Sequence, residues 1–326
     1  MQILVVGCGS IGVRHIRNLR ALGVADIAVV DPLTDRVDQA VGMVGARPYR
    51  HLDEGLARKP DAVLVCTPPY LHLDGARSGL LAGAHVFIEK PFSHSLEGVD
   101  ELLALAEQHH RFICVGYNLR FHPGVQKLKM MLDSGAIGRL LVVKAEFGQY
   151  LPDWRPTQDY RESYTARAEL GGGIILDASH EIDYVRWLGG EAVSVYAESG
   201  KLSQLEMKAE DTAAMTLRLK GGVIAEIHVD CTQRGYTRNC KLVGTEGTLT
   251  WDYDEGVRYY RPDKGWETFE VMSDPNDMYL NEMRHFLACL RDETQPLVPG
   301  SDGRRVLEIA MAARQSAVTG QRVELN

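Results

Sequence analysis

Gly7, Gly9 and Gly12 form a G-x-G-x-x-G between a short apolar run, Ile3 to Val6, and a stretch of helical pattern. Such a motif carries weight only with a strand before it and a helix after it, and both are present. Each glycine has a separate task. Gly7 permits a tight turn, Gly9 lets backbone approach a pyrophosphate, and Gly12 lets helix and strand pack closely. The diphosphate would then rest on the leading amides and the dipole of the helix, at Ser10 and Ile11. A second apolar run, 26–30, ends in Asp31, where a carboxylate accepts hydrogen bonds from adenosine ribose hydroxyls. It would repel a 2′-phosphate, so NAD is expected over NADP, although Arg36 nearby pulls the other way.

Ligands of doubly wound sheets bind beyond the carboxyl ends of the strands, so the residues just after each strand are the next to read. These are Thr67-Pro68-Pro69, Glu89-Lys90-Pro91 and Tyr117-Asn118. Pro91 holds Lys90 out of helical conformation and aims an ammonium in a fixed direction. A solvated strand-end lysine is the commoner fate of that residue type. Further on, His180 lies three residues from both Asp177 and Asp183, and a carboxylate beside an imidazole orients it as a base. The histidine reference pKa near 6.5 suits that task, while a surface histidine with ordinary ionic neighbours is the plainer alternative. The segment 149–173, with Asp153-Trp154-Arg155-Pro156 and Tyr160-Arg161 through Tyr164, offers aromatic faces and guanidinium groups for a sugar-like substrate. Its Arg residues are balanced by acids, so it does not mark an anionic substrate, and a mobile surface loop would look the same.

The elements that must position these residues alternate in the first third of the chain. Strands are expected at 2–6, 26–30, 46–49, 61–66, 85–89 and 112–116, with helices at 10–22, 70–82 and 95–109. That order builds a parallel, doubly wound α/β Rossmann sheet, because parallel strands need crossovers. Beyond Phe121 the pattern changes to a helix at 123–134, a long strand at 139–148, a helix at 175–188, and period-two segments between glycine turns from 192 to 271. The second part is therefore expected to be α+β with an open, mainly antiparallel sheet. Helices at 277–291 and 302–319 close the chain. The expected domains are 1–120, binding the dinucleotide, and 121–326, for substrate and oligomerisation, its last helices free to pack back on the first domain.

Bulk properties exclude several other classes. A chain of 326 residues with 45% hydrophobic and 25% charged residues is globular and long enough for two cores. A net charge of −8 argues against nucleic acid as a partner. Apolar runs are strand-length, so no membrane span is expected, and no signal peptide precedes the first strand. Six cysteines without a C-x-x-C pair fit a reducing, cytoplasmic compartment. Histidines lack metal-ligand spacing, so no metal is expected.

The glycine motif, Thr67-Pro68-Pro69, Glu89-Lys90-Pro91 and Gly171-Gly172-Gly173 followed by Asp177 and His180 together resemble the Gfo/Idh/MocA family, across essentially the whole chain. The resemblance implies NAD(P)-dependent hydride transfer at a secondary hydroxyl of a sugar, polyol or nucleotide-sugar, in a homo-oligomer (dimer or tetramer). It implies Lys90, His180 and Asp177 as catalytic residues, Lys90 holding the reacting oxygen. The Asp177-to-His180 step is three residues where such enzymes commonly have four. The implied cofactor set is Gly7, Gly9, Ser10, Ile11, Gly12, Asp31, Thr67, Pro68, His72, Glu89, Lys90, Asn118 and Arg155. The implied substrate set is Lys90, Asn118, Tyr160, Arg161, Asp177 and His180. Relatives that cleave glycosides through tightly bound NAD, and others that only sense nucleotides, keep two alternatives open.

Overall fold

The computed structural model describes residues 1–271 and 274–325. Strands and helices alternate first: β1 (Gln2–Val6), α1 (Ser10–Ala21), β2 (Asp26–Val30), α2 (Thr34–Val44), β3 (Arg47–Tyr49), α3 (Leu52–Leu56) and β4 (Ala62–Val65). They continue with α4 (His72–Leu81), β5 (His85–Glu89), α5 (Val99–Gln108) and β6 (Ile113–Gly116). Then come α6 (Pro123–Asp133), β7 (Leu140–Gly148), α7 (Leu151–Trp154), α8 (Ile174–Asp177) and α9 (Ser179–Gly189). Six strands follow: β8 (Ala192–Gly200), β9 (Thr212–Leu219), β10 (Ile224–Asp230), β11 (Thr237–Gly244), β12 (Thr248–Asp252) and β13 (Gly256–Arg261). The chain closes with β14 (Gly265–Phe269), α10 (Asp277–Asp292), α11 (Gly300–Thr319) and β15 (Val323–Glu324).

Two compact units result, one of residues 1–118 and 276–304, the other of residues 119–275 and 305–326. The first unit holds a parallel sheet in the order β3-β2-β1-β4-β5-β6. Its central strands are apolar except at their ends, where Gln2, His85 and Glu89 lie, as suits strands covered by helices on both faces. Register pairs Val6 with Val30 and Val65, and Val65 with Ile88. Gly7, Asp31, Cys66 and Glu89 therefore lie together along one sheet edge. α10 packs in this unit, giving Met283, Phe286 and Leu287 to its core. Phe286 meets Phe87 edge-on at 5.5 Å between ring centroids.

The second unit holds a sheet in the order β14-β13-β12-β11-β7-β10-β9-β8-β15, antiparallel except where β10 runs beside β7. β9 and β10 alternate buried and exposed residues with period two, so one face is covered and the other is open. Helix α9 is buried over most of its length on the covered face, and Trp251 and Tyr184 meet there edge-on at 6.0 Å.

Three local expectations differ from what forms. Helices α2 and α3 occupy 34–44 and 52–56, where no helix is expected from the sequence; α2 nonetheless carries Val37, Ala40, Val41 and Val44 at helical spacing, while α3 has only five residues. The helix expected at 175–188 is two helices, because Ala178 leaves helical geometry at φ −92° and ψ 28°. β11 begins at Thr237, where polar residues extend the strand: Asn239 Nδ2 donates to Glu146 Oε2 of β7 at 3.1 Å and Arg238 lies over the Phe147 ring.

Asp230 ends β10 and organises the turn after it. Its carboxylate accepts from Thr232 N (2.8 Å), Thr232 Oγ1 (2.8 Å) and Gln233 N (2.7 Å), and lies 3.2 Å from His228 Nε2. Burial alone would raise its pKa, but these partners outweigh burial and hold it at about 2. A depressed carboxylate contributes stability that is present above its unfolded value of about 3.9 and is lost as pH falls toward about 2. Replacing Asp230 by Asn is expected to cost about 2 kcal/mol at pH 7. In urea denaturation at pH 7, 4 and 3 the gap to wild type should narrow with acid; a constant gap would exclude this linkage.

Candidate active site

Gly7 takes φ +96° and its N–H donates to Val30 O at 2.8 Å, so the turn is built onto the end of β2. A Cβ at Gly7 would lie 2.7 Å from Cys66 O, and one at Gly12 would drive into the Gly7 carbonyl. Glycine is required at both places by backbone packing. At Gly9 a Cβ would meet only the Arg36 guanidinium, at 3.9 Å. That face is open to a ligand, and no side chain caps the helix that begins at Ser10. The loop thus fits a diphosphate on the amides of Ser10 and Ile11.

Asp31 is 7% exposed and braces this loop: Oδ2 accepts from Cys8 N at 2.7 Å and Oδ1 from Leu33 N at 2.9 Å. Arg36 Nη1 stands 3.8 Å from Oδ2. Each carboxylate oxygen has a second lone pair, so ribose hydroxyls can still be accepted. Burial, with help from Asp31, pushes the Cys8 thiol up to about 12, making it a packing residue and not a nucleophile.

At the next strand ends, Thr67 Oγ1 is buried without a hydrogen-bond partner among the described residues. Pro68 is extended, at φ −61° and ψ 151°. His72, 1% exposed, places Nδ1 2.9 Å from Pro91 O and Nε2 2.8 Å from Thr67 O. It ties the turn after β4 to the Glu89-Lys90-Pro91 turn. Burial pushes its pKa below the ordinary value, while the two carbonyls act in the other direction. A neutral ring donates to only one of them.

Glu89, 7% exposed, accepts from Lys90 N at 3.1 Å and sits 2.6 Å from His15 Nε2. Glu282 of α10 joins them, one ligand atom from each of the three lying within 4.8 Å of the others. Such a set could take a cation, but His15 and Glu89 already engage each other directly, so the arrangement is a buried hydrogen-bonded pair with the Glu282 side chain close by. Sequence reading missed both partners of Glu89, whose separations of 74 and 193 residues show no pattern. Lys90 is half-buried, with a cis peptide to Pro91, and Asn118 is buried.

In the second unit, Asp177 and His180 lie on either side of the break at Ala178, 5% and 8% exposed. A continuous helix no longer supplies the reason for them to share a face. Asp183 is fully engaged elsewhere, its two oxygens accepting from Arg120 Nε (2.9 Å) and Nη2 (2.7 Å). Glu181 pairs with Arg238 at 3.0 Å. Asp177 is bonded by the phenol of Tyr164.

The loop residues are placed less deeply. Arg155 is exposed after α7, and Trp154 Nε1 donates to Gln149 O at 2.9 Å. Arg161 is exposed and engages Asp159 at 2.7 Å and Glu206 at 3.3 Å, while Tyr160 OH accepts from Glu206 N at 3.0 Å. Arg120 was not legible in the sequence, because nothing about its position announces a partner 63 residues away.

Comparison with known proteins agrees with this geometry. Residues 1–117 match the oxidoreductase family with the NAD-binding Rossmann fold, and residues 125–250 match the GFO/IDH/MocA C-terminal domain. The chain is 30% identical to the myo-inositol 2-dehydrogenase of Thermotoga maritima, the match covering 100% of this chain and 98% of that one. It is 28% identical to the scyllo-inositol 2-dehydrogenase (NAD(+)) of Bacillus subtilis, over 100% and 96% of the two chains. Among solved structures, the WlbA dehydrogenase of Bordetella pertussis, in complex with NADH and UDP-GlcNAcA, has a TM-score of 0.86 at 26% identity, over 100% of this chain and 98% of that one.

The brace at Asp31 has a measurable consequence. Asp31→Ser should weaken NAD binding about tenfold, equivalent to about 1.4 kcal/mol, and narrow the preference over NADP. Calorimetric titration with each dinucleotide reads both effects, and unchanged NAD affinity would remove Asp31 from the cofactor site.

Proposed function

Because this chain belongs to the GFO/IDH/MocA family of oxidoreductases, we propose that Lys90, His180 and Asp177 serve the oxidation of a secondary hydroxyl on a polyol, sugar or nucleotide-sugar. The chain is an NAD-dependent oxidoreductase acting on CH–OH groups. One observation carries the residue assignment. The sheet register sets the Glu89-Lys90 turn along the same edge as the glycine turn after β1, and that shared edge supports Lys90 as a residue of the reacting site.

NAD supplies the hydride acceptor when bound, and the protein supplies position and proton handling. Ser10 and Ile11 hold the diphosphate, Asp31 the ribose, and Thr67, Pro68, Glu89 and Asn118 complete the wall. Lys90 holds and polarises the substrate oxygen. His180 removes the hydroxyl proton, with Asp177 favouring the imidazolium it becomes. Since Asp183 is engaged by Arg120, Asp177 is the carboxylate left for that task. Arg155 is assigned to the cofactor, and Tyr160 and Arg161 to the outer part of the substrate.

Relatives named as inositol dehydrogenases support a polyol, and the relative solved with UDP-GlcNAcA supports a sugar nucleotide as the second class to test. Those names favour a released-cofactor dehydrogenase over a glycoside-cleaving or sensing protein. No described helix is long and apolar enough to cross a membrane. Six cysteines, all buried and free, support a cytoplasmic setting, and the open face of the second sheet supports a homo-oligomer.

Purified protein mixed with NAD and myo-inositol, scyllo-inositol or UDP-GlcNAcA should generate absorbance at 340 nm. Lys90→Ala and His180→Ala should each lower turnover by about a hundredfold or more while binding NAD as wild type does. Near-normal turnover in either variant would remove that residue from the mechanism.

A further inference from the structure

The phenol of Tyr164 donates to Asp177 Oδ1, although Tyr164 lies in the irregular segment and Asp177 at the end of α8. What brings them together is the Gly171-Gly172-Gly173 run. Gly172 N donates to Arg167 O and Gly173 N to Thr165 O, each at 3.0 Å, so the turn 164–167 is laced to the glycines by backbone. A Cβ at Gly172 would lie 2.6 Å from Thr165 O and 2.7 Å from Arg167 O, closer than side-chain carbons approach carbonyl oxygens. Any other residue there would push the turn away.

The other side of the glycines is braced as well. Arg314 Nη2 donates to Gly172 O at 2.6 Å and to Glu210 Oε1 at 2.8 Å, while Glu210 O accepts from Ile174 N at 3.0 Å. Thr165 and Ala166 are buried, and Ala166 O accepts from Lys208 N at 2.9 Å. Gly173 O in turn accepts from Asp177 N at 3.1 Å. The glycine run is thus clamped between the Tyr164 turn and the Glu210–Arg314 pair, and the start of α8 hangs from it.

We propose that Tyr164 is a positioning residue of the active site, which fixes the Asp177 carboxylate through its phenol, and that the glycine run is there to let the Tyr164 turn dock. The proposal rests on the reading that Asp177 serves the reaction. A carboxylate with one oxygen held by a phenol keeps one rotamer, and a second-row tether of that kind protects geometry whose loss by about 1 Å costs about a hundredfold in rate. Tyr164 itself need not meet the substrate.

Tyr164→Phe removes only the hydroxyl and leaves the packed ring. Turnover is measured with NAD and the best of myo-inositol, scyllo-inositol and UDP-GlcNAcA, in wild type, Tyr164→Phe, Asp177→Asn and the double variant. Tyr164→Phe should lower kcat about tenfold with KM and NAD affinity within about twofold, and should add nothing once Asp177 is Asn. Multiplying effects, or wild-type kcat in Tyr164→Phe, would overturn the positioning role while leaving the site reading intact. Wild-type kcat in Asp177→Asn would overturn the site reading itself, and this proposal with it. Hydrogen exchange at amides 164–167 needs no substrate: Tyr164→Phe should accelerate it, while Asp177→Asn, whose Oδ1 still accepts from the phenol, should accelerate it less. Unchanged exchange in Tyr164→Phe would overturn the tether.

Discussion

Glu89 is buried where water scarcely reaches, and its Oε1 lies 2.6 Å from His15 Nε2, a hydrogen bond between two buried polar side chains. Such a bond adds only modest net stability, yet removing one partner leaves the other unsatisfied at a cost of about 1–3 kcal/mol. Its value is therefore positional. His15 lies on α1, the helix that opens at the glycine turn, and Glu89 closes β5 and holds the backbone of Lys90. One interaction thus links the direction of the lysine to the placement of the dinucleotide helix. α10 packs into the same unit through Phe286, which meets Phe87 edge-on.

The second unit uses the same device with different residues. Helix α9 is buried on nearly every side, although it carries Glu181 and Asp183 at 0% exposure. Arg238 and Arg120 compensate them, the latter in a bidentate fork. Once both acids are engaged, the helix has few orientations left, and His180, in its first turn, is presented in one of them. Asp177, outside the helix across the break at Ala178, is held by a separate tether. Rigid supports around a few polar groups are what proton transfer needs, because the gain from positioning is lost within about an ångström.

Much of this architecture could be read directly from residue order. The alternation of apolar runs with helical pattern predicts the parallel sheet, and it does form, because a buried strand and an amphipathic helix carry different periods that neighbours cannot disguise. α3 is too short, at five residues, to show a period, whereas α2 has a legible one in Val37, Ala40, Val41 and Val44. The helix expected across 175–188 breaks at Ala178, a residue with no local signal for a break, so the cause lies in the tertiary packing around it.

The sequence by itself determined the glycine turn, the strand-end residues Asp31, Thr67 and Lys90, and the family to which they belong. Those features depend on contacts between near neighbours, or on chemistry that one residue type alone supplies. Only tertiary structure decided which group partners each buried acid: His15 for Glu89, Arg120 for Asp183, Arg238 for Glu181, and Tyr164 for Asp177. The physical reason is that a desolvated charge accepts any oppositely charged or donating group that packing brings within hydrogen-bond reach. That demand fixes a distance in space and leaves the separation along the chain free.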